Sequence, residues 1–161
     1  MGRAPYDRVH CDLDGVKGLA SPWRALGLSG VALGVIRLEA GKGYTFTHSH
    51  AEQEEVYAVI EGRGELLVDG ELLELRRGDL VRVSPEARRA LRAAEDGVLL
   101  VLCAGGVAAG YPREANARYL IDDGVPHYDD VPPWYRGDPE VLERNAELAR
   151  RMERSRRKRA E

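Results

Sequence analysis

The chain has 161 residues, of which 43% are hydrophobic and 32% charged, and its formal net charge is −3. This composition is typical of a globular protein and excludes a disordered or fibrous one, and the length favours one domain with a full hydrophobic core. The small net charge gives no overall reason to expect nucleic acid or an anionic membrane as a partner. No apolar run approaches the roughly 20 residues of a membrane span.

Residues 1–30 are predicted to form an irregular N-terminal arm with at most a turn of helix at SPWRALGLSG. The opening sequence, MGRAPYDRVHCDLDG, lacks the apolar core of a secretory signal, so we expect a cytoplasmic protein. Cys11 and Cys103 lie far apart in the chain and do not form a metal-type pair, which favours two reduced thiols.

Residues 31–104 are predicted to form short strands separated by turns rich in Gly and Asp. The predicted strands are VALGVIRL (31–38), YTFTHSH (44–50), EEVYAVI (54–60), the two halves of ELLVDGELLEL (65–75), LVRVS (80–84), RALRA (89–93) and VLLVLCA (98–104). We predict turns at EGRG (61–64) and RRGD (76–79), and a hairpin at Asp69-Gly70, which is the strongest short hairpin signal in the chain. The pattern predicts an all-β core built as an antiparallel sandwich or barrel.

Two further segments follow the predicted strands. Residues 105–137 are rich in Gly, Pro and Tyr, and we expect this irregular segment to lie against the barrel or a partner subunit, because it would otherwise expose the apolar side chains of Ile121, Tyr128, Trp134 and Tyr135. Residues 138–161 are predicted to be a C-terminal helix that starts at Asp138-Pro139, with Asp as N-cap and Pro at the first helical position, and runs to the mid-150s.

The basic tail from residue 150, RRMERSRRKRAE, contains no aromatic residue among its arginines and continues a helix. A solvated helix end is therefore favoured over a surface for nucleic acid, and we do not expect a nucleic-acid partner.

His48 and His50 are predicted to lie on one face of a strand, because residues two apart in a strand project to the same side. A turn at AEQ brings the next strand back alongside, where Glu55 can reach the same point. Two imidazoles and a carboxylate suit a divalent first-row metal such as Fe(II), Mn, Ni or Zn. The simpler interpretation is a polar surface strand that happens to contain histidine.

The stretch GYTFTHSHAEQEEVYAVIEG (43–62) resembles the first motif of the cupin superfamily. In that family a Gly and a short spacer lead to His-x-His, three or four residues, Glu, six residues and Gly. Here the pattern is met by His48, His50, Glu55 and Gly62, and Gly43 stands one residue closer than usual. The resemblance covers about residues 30–104 and implies a small antiparallel jelly-roll barrel with the two histidines and the glutamate as metal ligands.

The family's second motif is only partly present in GDLVRVSPEARRAL (78–91). Ser84 stands in place of the usual Pro, Glu86 in place of Gly, and Arg89 in place of the fourth ligand, His; a shift of one residue would place Arg88 there instead. A guanidinium has no lone pair to offer a metal. Two interpretations stay open: Arg89 turns aside or binds an anionic substrate while the other three residues hold a metal, or the metal is lost and Arg89 pairs with Glu55.

Tyr57 shares the face of Glu55 and is predicted to line the same pocket, as filler or as a hydrogen-bond donor. The opposite face of that strand, Val56, Ala58 and Ile60, is also apolar, so we expect another sheet, a terminal segment or a second subunit to cover it. The resemblance to cupins implies a homodimer.

The sequence therefore predicts a metal-binding cupin that binds or acts on a small polar molecule, with isomerase-, dioxygenase- or decarboxylase-like chemistry. The alternative is a metal-free, non-catalytic barrel that binds a small anion through Arg89. Neither interpretation identifies a catalytic residue.

Overall fold

The computed structural model describes residues 5–23, 25–107 and 123–160. In these ranges it contains nine strands, a short 3-10 helix (Pro133–Tyr135) and one α-helix. The strands are β1 (Gly18–Ala20), β2 (Val31–Leu38), β3 (Thr47–His50), β4 (Glu54–Val68), β5 (Glu71–Arg76), β6 (Leu80–Val83), β7 (Arg89–Ala93), β8 (Leu99–Gly106) and β9 (Gly124–His127), and α1 is Pro139–Ala160.

The strands form one curled antiparallel sheet, a half-barrel, with the order β1-β2-β8-β4-β7-β3-β9; β5 and β6 also pair with β4. Its concave face encloses a core to which β2, β4, β7 and β8 all contribute, including Ile36, Tyr57, Leu66, Leu91 and Val101. The predicted all-β fold with a C-terminal helix is confirmed.

Strand β4 carries the bend between the two halves of the sheet. The predicted turn at residues 61–64 is wrong, because the strand runs on through these residues. The pairing with β8 shifts between Val59 and Glu61, which makes Ile60 the extra residue of a β-bulge. Gly62 has a φ of +81°, and a Cβ there would lie 1.7 Å from the carbonyl oxygen of Val98. The glycines therefore bend the strand without reversing it.

The hairpin predicted at Asp69-Gly70 is confirmed. Both residues have positive φ, 47° and 89°, and the flanking residues Val68 and Glu71 are paired across β4 and β5. Two successive positive φ values are the mark of a type I′ turn, which matches the twist of the strands that it joins.

The segment predicted to be irregular contains the edge strand β9, which pairs with β3. The sequence GVPH gave no strand signal because it is short and contains Pro126, which removes one backbone donor. Proline is tolerated in an edge strand, where one side makes no ladder hydrogen bonds. The N-terminal arm also contains a strand, β1, and its Val16 packs against Val35 and Leu100 on the convex face of the sheet.

Three aromatic residues of the 105–137 segment lie against residues 43–46, just before β3. Trp134 Nε1 donates to the carbonyl of Tyr44 at 3.0 Å, and the rings of Tyr128 and Phe46 meet edge to face at 4.6 Å. The hydroxyl of Tyr135 accepts from the backbone N–H of Gly43 at 3.3 Å. The predicted burial of Ile121 lies outside the described residues.

Helix α1 begins as predicted. Asp138 Oδ1 accepts from the backbone N–H groups of Glu140 at 3.0 Å and Val141 at 3.2 Å, which makes it the N-cap. The buried side chain of Asn145 donates to the carbonyl of Thr45 at 2.7 Å and fastens the helix to the sheet. The helix continues to Ala160, beyond the predicted end in the mid-150s. No described helix is long and apolar enough to cross a membrane.

The convex face of the sheet has an apolar patch that the described part of the N-terminal arm does not cover. Val56 and Ile60 of β4 are 38% and 45% exposed, and Leu80 of β6 is 73% exposed. Ala58 lies between them and pairs with Leu80. The described residues of this chain therefore leave uncovered the strand face that we expected to be covered.

Candidate metal site

The side chains of His48, His50 and Glu55 converge at one point inside the half-barrel. One ligand atom from each lies within 4.8 Å of the other two. His50 Nε2 is 3.3 Å from Glu55 Oε1, and His48 Nε2 is 3.9 Å from Glu55 Oε2. β3 turns both imidazoles inward, and β4 turns Glu55 inward from a different part of the curled sheet, where it pairs with β6 and β8. The prediction that the turn after β3 brings β4 back alongside it is wrong, because β3 pairs with β7 and β9 instead.

The carboxylate of Glu55 is buried and both of its oxygens accept hydrogen bonds. Oε1 accepts from Gln53 Nε2 at 2.9 Å and from Cys103 Sγ at 3.5 Å. Oε2 accepts from the hydroxyl of Tyr57 at 2.5 Å, and from Arg89 Nε at 3.2 Å and Nη2 at 3.0 Å. The arginine therefore meets one oxygen of the carboxylate, and the imidazole of His50 faces the other.

Arg89, and not Arg88, occupies the position where the cupin pattern has its fourth ligand. Arg89 is opposite His48 in the sheet and is fully buried, whereas the half-exposed side chain of Arg88 turns to Asp130. Arg89 Nη1 also donates to the carbonyls of Pro85 at 2.9 Å and Ala87 at 2.8 Å. Four hydrogen bonds thus hold the guanidinium between Glu55 and residues 85–87.

The electrostatics of the site keep Glu55 ionised. Burial raises the pKa of its carboxyl group, but the imidazoles of His48 and His50, at 3.9 and 3.3 Å, outweigh burial and hold that pKa well below its usual range. Burial raises the pKa of Tyr57, and the charge of Glu55 raises it further, so the phenol keeps its proton and donates. Burial lowers the pKa of Arg89, but Tyr57 and Glu55 raise it more, and the guanidinium stays charged.

The other ring nitrogen of His50 contacts a residue that the sequence did not single out. His50 Nδ1 lies 2.8 Å from Asp123 Oδ1, and Asp123 Oδ2 accepts from the backbone N–H groups of Glu52 and Gln53. Burial raises the pKa of Asp123, but these backbone donors and His50 lower it more, so its pKa is below the usual range. Asp123 is 73 residues from His50 and precedes a strand without a sequence signal, which is why it was missed.

The convex face of β3 carries a separate set of contacts. Ser49 Oγ lies 2.8 Å from His127 Nε2, and Thr47 Oγ1 donates to Asp130 Oδ2 at 2.7 Å. The first of these bonds joins β3 to β9, and the second joins β3 to the turn that follows β9.

The donor set fits a divalent transition metal. Two imidazoles and one carboxylate are the ligands that Fe(II), Mn, Ni and Zn share, and Glu55 Oε1 is the oxygen that faces His50. Arg89 offers no lone pair, so it is not a ligand. His48, His50 and Glu55 can therefore hold a metal ion with three protein ligands.

Comparison with known proteins agrees with this fold. Residues 34–105 match the family model described as Cupin domain. The chain is similar to a crystal structure of a cupin protein from Bacteroides fragilis, with 30% identity and a TM-score of 0.61, over 71% of this chain and 98% of that one. It is also similar to a sugar phosphate isomerase of the cupin superfamily from Silicibacter pomeroyi, with 24% identity and a TM-score of 0.51, over 61% of this chain and 75% of that one. At 24% identity this second likeness concerns the fold alone.

One curated relative is an uncharacterized protein from Methanocaldococcus jannaschii, 32% identical over 59 residues. The match covers 37% of this chain and 47% of the relative, so the chain spans about half the length of that protein.

Proposed function

The chain belongs to the cupin superfamily, and on that premise we propose that His48, His50 and Glu55 hold one divalent transition metal ion, Fe, Mn, Ni or Zn, beside a site for a small polar molecule. The observation that carries the proposal is the approach of His50 Nε2 to Glu55 Oε1, at 3.3 Å, inside the half-barrel. When bound, such an ion supplies Lewis-acid chemistry to an oxygen of the bound molecule.

Arg89 and Tyr57 act on the ligand Glu55 in this proposal. Both donate to Oε2, which favours metal binding through Oε1 alone. Oε1 faces His50 and would exchange a hydrogen bond from Gln53 or Cys103 for the metal. The charge of Arg89 lowers the affinity for a cation, because it lies on the carboxylate that the cation would bind. Three protein ligands leave coordination positions open for water or substrate.

Isomerase-, dioxygenase- and decarboxylase-like reactions are all compatible with such a site, and we propose no catalytic residue. The polar molecule would bind at the open coordination positions. Tyr57 and Arg89 would act on it indirectly, by holding the carboxylate of Glu55 in place.

Elemental analysis tests the proposal. Protein without a His tag is incubated separately with Fe(II), Mn, Ni and Zn, desalted and measured beside the His48→Ala/His50→Ala double variant. We expect about one ion per chain for at least one metal and its loss in the variant. Metal in fewer than about a tenth of chains with all four ions would reject the metal site.

The contact between Arg89 and Glu55 favours a second candidate, a metal-free barrel that binds a small anion. As an anion anchor, Arg89 would have to exchange a bond to Glu55, Pro85 or Ala87 for one to the ligand. Calorimetric titration of metal-free protein with carboxylates and phosphate tests this function. Binding that the Arg89→Gln variant loses supports it, and equal binding by both proteins rejects Arg89 as the anchor.

We further propose that the convex apolar patch of Val56, Ala58, Ile60 and Leu80 is the contact of a homodimer. The patch is rimmed by the exposed ion pair of Arg82 and Glu54, at 2.7 Å. Light scattering after gel filtration tests it: we expect a dimer mass for the native protein and a monomer mass for Leu80→Glu. A monomeric native protein would reject the dimer.

A further inference from the structure

The carboxylate of Asp123 joins the ring of His50 to the turn that leads to Glu55. Its Oδ1 lies 2.8 Å from His50 Nδ1, and its Oδ2 accepts from the backbone N–H of Glu52 and, at 2.9 Å, from that of Gln53. Glu52 and Gln53 belong to the turn between β3 and β4, and the side chain of Gln53 donates to Glu55 Oε1 at 2.9 Å. One carboxylate thus contacts both the second histidine and the backbone that carries the glutamate.

Backbone pairing fixes the place of Asp123. The next residue, Gly124, is opposite His50 in the antiparallel pair of β9 and β3, and His127 is opposite Thr47 at the other end. The bond between Ser49 and His127 at 2.8 Å joins the same two strands on the convex face. The pairing of β9 with β3 therefore holds Asp123 next to His50.

The chemistry of the pair determines which nitrogen of His50 carries the proton. An ionised carboxylate only accepts hydrogen bonds, so His50 Nδ1 must donate to Asp123. Nε2 faces the second carboxylate, Glu55 Oε1, at 3.3 Å. A metal ion requires the lone pair of Nε2, so any proton on Nε2 leaves when the ion binds, whereas Nδ1 keeps its N–H toward Asp123. A carboxylate on the opposite nitrogen also makes the imidazole a stronger ligand.

We propose that Asp123 is the positioning residue of the metal site: it keeps a proton on Nδ1 of His50, so that Nε2 is the nitrogen that binds the metal, and it holds the turn ahead of Glu55. The role toward a metal rests on the proposed function, whereas the proton on Nδ1 is measured in the metal-free protein.

The substitution Asp123→Asn isolates this role. The two backbone donors of Glu52 and Gln53 require an acceptor, so the amide oxygen takes the place of Oδ2 and the amide NH₂ faces His50 Nδ1. The imidazole must then accept at Nδ1 and carry its proton on Nε2, where the proton excludes a metal. The turn keeps its hydrogen bonds, so we expect the variant to fold and Nδ1 of His50 to lose its proton.

Two measurements test the proposal. Nitrogen-15 NMR of metal-free protein reports whether Nδ1 of His50 carries a proton, with the signals assigned by their loss in His50→Gln. Titration with Zn(II) reports the affinity. We expect a proton on Nδ1 in the native protein, none on Nδ1 in Asp123→Asn, and a 10- to 100-fold weaker affinity for Zn(II) in the variant, roughly the range for the loss of a partner of a metal-bound histidine.

Asp130→Asn is the matched control. Asp130 undergoes the same chemical change, and it also contacts β3, through Thr47, but on the convex face. We expect this variant to keep the proton on Nδ1 of His50 and the native affinity.

An Nδ1 without a proton in the native protein would overturn the proposal without any variant, even if Asp123→Asn fails to fold. A proton on Nδ1 together with the native affinity in a folded Asp123→Asn would overturn it as well. Loss of the Nδ1 proton in the variant, with no metal bound by the native protein, would reject the metal site and the role of Asp123 toward a metal, but not its effect on the Nδ1 proton.

Discussion

Two segments meet at Glu55 and bring opposite chemistry to it. The β3–β4 segment contributes lone pairs, from His48 and His50, while β7 contributes the buried cation Arg89 in the place where the cupin pattern has a fourth histidine. His50 faces Oε1 of the carboxylate, whereas Arg89 donates to Oε2, which is also the oxygen nearer to His48, at 3.9 Å. In the proposed site the metal uses Oε1 and the cation uses Oε2, so a cation in place of the fourth ligand is compatible with a metal site.

Glu55→Gln removes both a proposed metal ligand and the counter-ion of Arg89, so it has the largest expected effect. The substitution leaves the fully buried guanidinium of Arg89 without its counter-ion, so we expect the free energy of unfolding to fall by about 3–5 kcal/mol, together with loss of metal binding. Urea denaturation measures the first effect. Glu54→Gln removes the neighbouring exposed pair with Arg82 and serves as the control, with an expected loss of about 1 kcal/mol or less. Equal losses of stability in the two variants would contradict the role of Glu55 as the counter-ion of Arg89.

His48→Gln removes a proposed metal ligand on β3 and leaves the pair of Arg89 and Glu55 in place. Because it removes one of three ligands, we expect the affinity for Zn(II) to fall more than about 100-fold, beyond the usual range for partners of a ligand. Titration calorimetry measures the change, and His10→Gln, in the exposed N-terminal arm, is the control with no expected effect. A native affinity in His48→Gln would remove His48 from the ligand set.

Arg89→Met removes the cation on β7 and leaves the three proposed ligands in place. Its effect on the affinity for Zn(II) should have the opposite sign. Removing the cation from the carboxylate removes its repulsion of a divalent metal, so we expect the affinity for Zn(II) to rise on the order of tenfold. The metal-free variant should be less stable, and Zn(II) should raise its melting temperature by more than that of the native protein. Arg82→Met, an exposed cation, is the control. A lower affinity in Arg89→Met would show that Arg89 is needed to orient Glu55 for the metal.

The pH dependence of stability sharpens the comparison. The pKa of Glu55 is lower in the folded protein than its ordinary value of 4.5, so the unfolded state takes up the proton first as the pH falls. Its contribution to stability is complete above about pH 5 and is lost below it, with a slope of up to about 1.4 kcal/mol per pH unit from this one group. Denaturation of the metal-free protein between about pH 6 and pH 3 should show a smaller slope for Glu55→Gln than for Glu54→Gln. Equal slopes would contradict the depressed pKa.

Local patterns were enough to predict part of this site. The two-residue spacing of His48 and His50 places both on one strand face, and the cupin spacing brings Glu55 beside them. Asp69-Gly70 predicts its hairpin because positive φ at two successive residues is a local property. The second motif favoured Arg89 for the position of the fourth ligand, although the sequence left open a shift to Arg88 and the direction of the side chain.

Contacts between residues far apart in the chain could not be predicted from the sequence. The pairing of Arg89 with Glu55 spans 34 residues, and that of Asp123 with His50 spans 73. Both depend on the register of strands that meet only in the folded sheet. The stretch EGRG fits a turn as well as it fits a bulge, and only the pairing of β4 on both sides of Ile60 decides between them.

A crystal structure of the protein soaked with Zn(II), with anomalous data collected at the zinc edge, tests the division of Glu55 between the two segments most directly. We predict one anomalous peak bonded to His48 Nε2, His50 Nε2 and Glu55 Oε1, with the guanidinium of Arg89 still on Oε2. The absence of a peak at this site, or a peak bonded to both oxygens of Glu55 with Arg89 displaced from the carboxylate, would contradict it.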